Sequence, residues 1–400
     1  MLLHNISESG AGTLVSVEQR GMRALRVLHV VPTFYPAVCY GGPIYSVMSL
    51  GKSLSSLNCE IKVLTTDANG PARRLSEAEK RGGEAAALNV HYCRRYGKGM
   101  FAPGVMWRVG AMVRWADVVH LTGVYDFTTF PVLAACRLYG KPLVWSSRGA
   151  LQRWTGSTKT SLKEMWERVC RTMAPERMAL HVTSIEEGQD SDGRLGNSEL
   201  HVIPNGVDIP AAITSEPMGE TLELLFVGRL DRKKGIENLF EACALLDRRS
   251  FFPWRLTVLG AGDTKYEASL KQLAGQLGIA GQVCFRGHLD GAAKQQAYAD
   301  SNIVVVPSHT ENFGLVVAEA LAHARPVIAS TATPWSEIEQ RGAGYWIANT
   351  PESLYDGIRK MREADRTAMG AAGRRWMASE FSWAKRASEC RSVYRQLINQ

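Results

Sequence analysis

No run in this sequence approaches the ~18–20 consecutive apolar residues of a membrane-spanning helix, so no helical span is expected. The first 24 residues lack the basic-then-apolar order of an export signal and read as a loose tail ahead of the first strand. Cysteine is present but unorganised. The residues at 39, 59, 93, 136, 170, 243, 284 and 390 include no Cys-x-x-Cys and have no histidine cluster beside them. That pattern argues against a zinc site and against a disulfide framework. Several of these thiols fall in apolar runs, as small buried hydrophobes do in a reducing cytosol. Nucleic-acid recognition motifs, internal repeats and low-complexity tracts are missing too, so nucleic acid is not an expected partner. Charge of one sign is in modest excess. The net charge is +8, and residues 1–210 hold 24 Lys and Arg against 18 Asp and Glu. A surplus spread this thinly fits ordinary surface balance, an anionic membrane face or a phosphorylated substrate.

What the chain does have is alternation. Its 400 residues suit two domains of roughly 150–200 residues each. Residues 301–330 show the repeating unit: Ile303 to Val306 reads as a buried strand stopped by Pro307, then come a polar loop, Gly314, a helix and a second apolar run from Val327. Strand, loop, helix and strand in that order build a parallel α/β sheet. Glu311 sits in the loop, and Glu319 lies eight residues on, inside the apolar helical run, where a carboxylate is costly unless paired. Two carboxylates, a flexible glycine and a helix N-terminus at the carboxyl end of a strand suit a polyhydroxylated ligand that carries an anion. Glu-x7-Glu, with Asn312-Phe313-Gly314 inside it and Arg325-Pro-Val-Ile beyond it, resembles the motif of the family 4 retaining glycosyltransferases. The resemblance implies an α/β fold of the GT-B type, two Rossmann-like domains with parallel sheets facing across an interdomain cleft. It makes Asn312, Phe313, Gly314 and Leu315 donor-binding positions along with Glu311 and Glu319. It covers about residues 26–397 and is more specific in the second half.

On this reading residues 25–208 form an acceptor-side domain, 209–221 an acidic linker, 222–379 a nucleotide-sugar domain and 380–400 a closing helix that returns toward the first domain. The first strand, 26–31, ends at Pro32, and an aromatic loop delivers Gly41-Gly42-Pro43 to a helix over 44–57. A glycine pair before a helix N-terminus marks either a turn or a close approach to an anion; the resemblance implies that Gly41 and Gly42 reach toward the donor diphosphate. A strand at 117–121 ends in Thr122-Gly123. Many relatives have His-x-His-Gly there, with the second histidine near the acceptor. Thr122 stands in that second place, so His120 is read either as a catalytic candidate or as a core residue. Tyr125, Asp126 and Arg148 are acceptor-side candidates. Arg148 follows a strand end at 146 and is expected to point into the cleft, or else to form a surface salt bridge. Residues 151–180, with Trp154, Met165, Trp166 and many basic side chains, read as a helix pair under the acceptor site or as a face resting on anionic lipid. A further strand is expected at 181–184.

In the second domain a strand at 222–227 runs into Gly228-Arg229, and a basic loop through Lys234 opens a helix over 236–247. This is a second anion site: an arginine can take two phosphate oxygens at once and a lysine adds a point charge. The resemblance implies that Arg229 and Lys234 bind the donor diphosphate, while Arg232 and Lys233 face solvent. Gly262, in a Gly-x-Gly after the strand at 255–259, and His288, after the strand at 283–287, are further donor-side candidates. The implied reaction is transfer with retention from a UDP-, GDP- or ADP-linked sugar to a saccharide acceptor. Glu319 would hold the donor ribose and Glu311 the sugar hydroxyls near the reacting face, with Arg229 and Lys234 stabilising the departing diphosphate. No Asp-x-Asp falls in either site, and neither a metal nor another cofactor is expected. No obvious nucleophile stands on the N-terminal side, so the family implies a front-face mechanism in which the leaving phosphate oxygen helps to deprotonate the acceptor. The basic first domain and the missing export signal favour a lipid-diphosphate-linked acceptor, as in polysaccharide assembly, and a cytoplasmic enzyme with peripheral contact to the membrane. A nucleotide-sugar epimerase and a sugar phosphorylase are competing readings on the same fold. A non-catalytic glycan-binding scaffold would be expected to lose Arg229, Lys234 or Glu319, and all three are intact.

Overall fold

Strands that are buried on both faces are mostly apolar, and the runs Val118–Thr122, Leu143–Ser146, Met178–Val182, Ile303–Val306 and Val327–Ser330 are buried at every residue. The structure, a computed structural model, describes residues 23–82, 87–97, 100–152, 160–196, 198–213, 219–249 and 252–400. The first sheet consists of β1 (Leu25–Thr33), β2 (Cys59–Thr66), β3 (Asn89–Cys93), β4 (Val118–Thr122), β5 (Leu143–Ser146), β6 (Met178–Val182) and β7 (Glu199–Val202). The second consists of β8 (Leu222–Val227), β9 (Trp254–Leu259), β10 (Val283–Gly287), β11 (Ile303–Val306), β12 (Val327–Ser330) and β13 (Gly344–Ile347). The orders are β3-β2-β1-β4-β5-β6-β7 and β10-β9-β8-β11-β12-β13, with parallel pairing throughout. The fold is two Rossmann-like α/β domains. Strand order reverses between β1 and β4 and again between β8 and β11, and ligands of such sheets bind outside the carboxyl ends of the strands at that reversal.

Two glycines fix the second domain's loops. Gly235, at φ +62°, would drive a Cβ into the Pro307 carbonyl. Gly260, at φ +146°, would drive one into the Gly228 carbonyl. Each clamps the loop after β8 to a neighbouring strand end, and neither position tolerates a side chain.

The chain crosses twice between the sheets. Val207 N–H donates to Phe381 O at 2.8 Å. The last helix, Trp383–Asn399, then runs back across the first domain, where Tyr394 and Leu397 share a core with Val27, Phe34 and Leu54. The strand expected at 181–184 is β6, which starts and stops earlier. Thr183 and Ser184 leave it to start the Ile185–Ser191 helix, whose Glu187 N–H is capped by Ser184 Oγ at 3.1 Å. Trp154 and the middle of the segment 209–221 lie outside the described residues.

Candidate functional site

The loops at the two strand-order reversals face each other. Gly42 opens the Gly42–Ser55 helix after β1, and a Cβ there would sit 3.8 Å from Leu315 Cδ2, at the start of the Leu315–Ala322 helix after β11. Two helix N-termini, each with unpaired N–H groups and a positive dipole end, therefore converge on one gap. Gly41 precedes the first at φ +86° and ψ −153°, a conformation suited to glycine. Asn312 Nδ2 donates across the same gap to Thr183 Oγ1 at 2.7 Å, and Tyr45 OH to Asp290 Oδ2 at 3.4 Å. Burial, then the Asp290 carboxylate, pushes the Tyr45 phenol well up.

On the second-domain side, Lys234 Nζ forms an ion pair with Glu311 Oε1, to which Ser308 Oγ also donates at 2.8 Å. Asp231 caps the turn that presents the lysine, accepting from Lys233 N at 3.0 Å. Arg229, next to Gly228, is exposed and has no ion pair among the described residues. Gly262 pairs with Leu230 in an isolated parallel bridge, which ties the Arg229 loop to the end of β9. His288 Nε2 lies 3.5 Å from Asp290 Oδ2 and is half-exposed. Gly314, at φ +75°, caps the Leu315–Ala322 helix. Phe313 is buried in an aromatic cluster, 5.2 Å from Trp335 and 6.1 Å from Phe381. Its carbonyl accepts from Trp335 Nε1 at 2.6 Å, so its side chain anchors the loop rather than lining the gap. Glu319 is paired as the sequence requires, with Lys294 Nζ at 2.7 Å and Tyr298 OH at 2.8 Å. Burial, then Glu319, holds the Tyr298 phenol far above its usual range.

On the first-domain side, Asp126 follows β4 beside Gly123, whose φ is +93° and whose added Cβ would strike Asp126 Oδ2. Burial raises the Asp126 carboxyl to about 6. Tyr125 OH donates to Glu167 Oε1, and Lys163 lies 5.3 Å over its ring. Of the two readings of His120 the core residue holds, and the salt-bridge reading of Arg148 needs correction. His120 does not face the gap: it is 1% exposed, with Nδ1 2.6 Å from Tyr394 OH and Nε2 3.3 Å from His181 Nδ1. The residue is interior because β4 is covered by the returning C-terminal helix. Arg148, at φ +50°, makes no surface salt bridge among the described residues. Its Nη1 donates to Asn205 Oδ1 and its Nε is buried.

Sequence reasoning missed Lys294 and Tyr298, because nothing local ties them to Glu319. It also missed Glu187, although Ser184-x-x-Glu187 has the spacing of a capping box.

Residues 214–376 match the family model for glycosyl transferases group 1, and residues 41–206 match that for the glycosyl transferase 4-like domain. The chain is 28% identical over 335 residues to the GDP-mannose:cellobiosyl-diphosphopolyprenol alpha-mannosyltransferase of Xanthomonas campestris, covering 81% of this chain and 83% of the relative. It is 32% identical over 177 residues to an uncharacterised glycosyltransferase of Methanocaldococcus jannaschii, 43% of this chain and 44% of that one. In fold it is similar to Anabaena HepE, solved with UDP and glucose, at a TM-score of 0.73 and 18% identity, covering 93% of this chain and 100% of the other.

Proposed function

We propose that this chain, which belongs to the group 1 glycosyltransferases, transfers a sugar with retention from a nucleotide-sugar donor to a lipid-diphosphate-linked saccharide. The observation that carries the donor half is the Lys234–Glu311 pair beside the exposed Arg229, opposite the Gly41–Gly42 helix start. Two cations and two helix N-termini meet a diphosphate, while Glu311 and Glu319 accept sugar and ribose hydroxyls. As the anomeric bond breaks, negative charge gathers on the leaving phosphate. Arg229 and Lys234, already in place, stabilise it by several kcal/mol, and in this reading that task needs no metal. The leaving phosphate oxygen takes the acceptor proton, and Asp126, at the end of β4, orients the acceptor hydroxyl.

The acceptor half is supported by the printed activity of the Xanthomonas relative, which acts on a diphosphopolyprenol-linked disaccharide, and by the first domain's surface. Met106 and Trp107 on the Pro103–Trp115 helix, and Leu162, Met165 and Val169 on the Thr160–Met173 helix, are exposed, Trp107 at 86%. Arg108, Arg114, Arg168 and Arg171 stand among them. An apolar and basic face of this kind suits the anionic cytoplasmic leaflet, where such an acceptor resides.

Release of free nucleotide from UDP-, GDP- and ADP-sugars tests the reading, with Glu319→Ala and Lys234→Ala alongside. Release from one donor, lost in both variants, is the expected result. No release and no calorimetric binding across the panel would refute it.

A further inference from the structure

Glu187 is 0% exposed, yet it is a carboxylate. Its Oε1 accepts from Ser147 Oγ at 2.6 Å and Gly149 N at 2.5 Å. Its Oε2 accepts from Thr183 N at 2.7 Å and Thr183 Oγ1 at 2.8 Å. Four neutral donors thus surround one buried charge, which is what a buried carboxylate needs to persist. They come from the end of β5 and the end of β6, so the group fastens two acceptor-side loops together. The 147–149 turn depends on this anchor, since Arg148 and Gly149 are successive left-handed residues at φ +50° and +77°.

The polarity of the network is forced. A carboxylate only accepts, so the Thr183 hydroxyl spends its one proton on Glu187 and can then only accept. That fixes which end of the Asn312 amide faces it: Nδ2 donates to Thr183 Oγ1 at 2.7 Å, from the loop residue next to Glu311. Asn312 also packs on the anchored turn, with its Cβ 3.0 Å from where a Gly149 side chain would begin. Its Oδ1 is left buried with no partner among the described residues. The bond gained is thus partly offset by an acceptor left unpaired, which makes the link across the gap easy to break.

We propose that Glu187 and Thr183 are positioning residues for transfer: through Asn312 they hold the Glu311 loop against the acceptor-side turn 147–149 when the gap is closed. The proposal rests on the glycosyltransferase reading for its consequence but not for its geometry.

Thr183→Val removes the hydroxyl at constant shape, and Thr183→Ser restores it. The valine variant is expected to lose at least tenfold in kcat while donor Kd stays within twofold, and the serine variant to keep the wild-type rate. Asn312→Ala should lose at least as much in kcat as the valine variant, and the double variant should be no slower than Asn312→Ala alone. Hydrogen exchange read on peptides covering 311–315 should be faster in the valine variant and unchanged in the serine variant, whatever the substrate. Wild-type exchange in the valine variant, or losses that multiply in the double variant, would overturn the relay. Failure of the wild-type chain to turn over any donor would instead overturn the activity, and the exchange comparison would still decide the relay.

Discussion

Lys234 and Glu311 are each other's partner before any ligand arrives, with side chains 22% and 15% exposed. Truncating one leaves a half-buried charge alone, at a cost beyond the lost contact. Lys234→Ala is expected to lower kcat by ~10²–10³, about 3–4 kcal/mol, the range for one lost preorganised donor, as read by nucleotide release at saturating donor. Asp126 makes a different statement. Burial raises its carboxyl to about 6 from an ordinary 3.8, so the folded chain holds that proton more tightly than the unfolded one. The stability this contributes is present below about pH 4 and is lost as pH rises through about 6. Asp126→Asn should therefore stabilise the protein above pH 6, by about 1–3 kcal/mol in urea denaturation. If Asp126 orients the acceptor as a carboxylate, the same substitution abolishes the rise of kcat/KM with pH near 6. A pH profile shared by both proteins would refute that role.

The returning C-terminal helix explains the first domain's interior. His29, His120 and His181 stand on β1, β4 and β6, the first two ring centroids 4.8 Å apart and the last two 5.3 Å, with Tyr394 above His120. Burial, then the charge of nearby Arg148, lowers His29 and His181 to about 3, and burial with the neighbouring histidines holds His120 well below its usual range. His201 also lowers His181. All three rings fold neutral, so their contribution is present above about pH 6.5 and is lost as pH falls toward 3. Three histidines outweigh the opposing proton of Asp126, and stability should drop on acidification from pH 7 to 5. Neither ring nitrogen of His29 has a partner among the described residues. His29→Leu should thus be tolerated at pH 7 and should flatten the acid-side fall, by at most ~1.4 kcal/mol per pH unit. A thermal-melt series against pH checks both.

This cluster was not legible as such, because His120 and its partner Tyr394 are 274 residues apart. The strands were legible, since parallel strands covered on both faces leave unbroken apolar runs such as Ile303 to Val306. Glycine and charged positions at strand ends were legible for the same local reason. The direction of Arg148, the burial of Phe313 and the partners of Glu319 were not, because each is set by segments distant in sequence.

At the scale of the whole molecule, the proposed reaction asks two kinds of surface to serve it: a polar cleft for the donor and an apolar, basic flank for a lipid-borne acceptor. No helix among the described residues is long and apolar enough to cross a membrane. The Pro103–Trp115 and Thr160–Met173 helices both pack against the Thr129–Leu138 helix between them, which places Trp107, Leu162 and Met165 on one flank of the first sheet. Each Lys or Arg near an anionic surface contributes about 1 kcal/mol, and that attraction fades once salt shortens the Debye length to ~3 Å at 1 M. Buried apolar side chains do not fade with salt in this way. The protein is therefore expected to cosediment with vesicles containing phosphatidylserine at low ionic strength and to be largely released by 1 M salt. Charge reversal at Arg168 and Arg171 should weaken binding at low salt only. Trp107→Ala with Met165→Ala should weaken it at every salt concentration and leave donor-only nucleotide binding unchanged. If the wild-type protein stays in the supernatant at low salt, the flank is not a lipid face. The acceptor then has to reach the cleft as a water-soluble saccharide, and the lipid-linked half of the proposed reaction falls while the donor half stands.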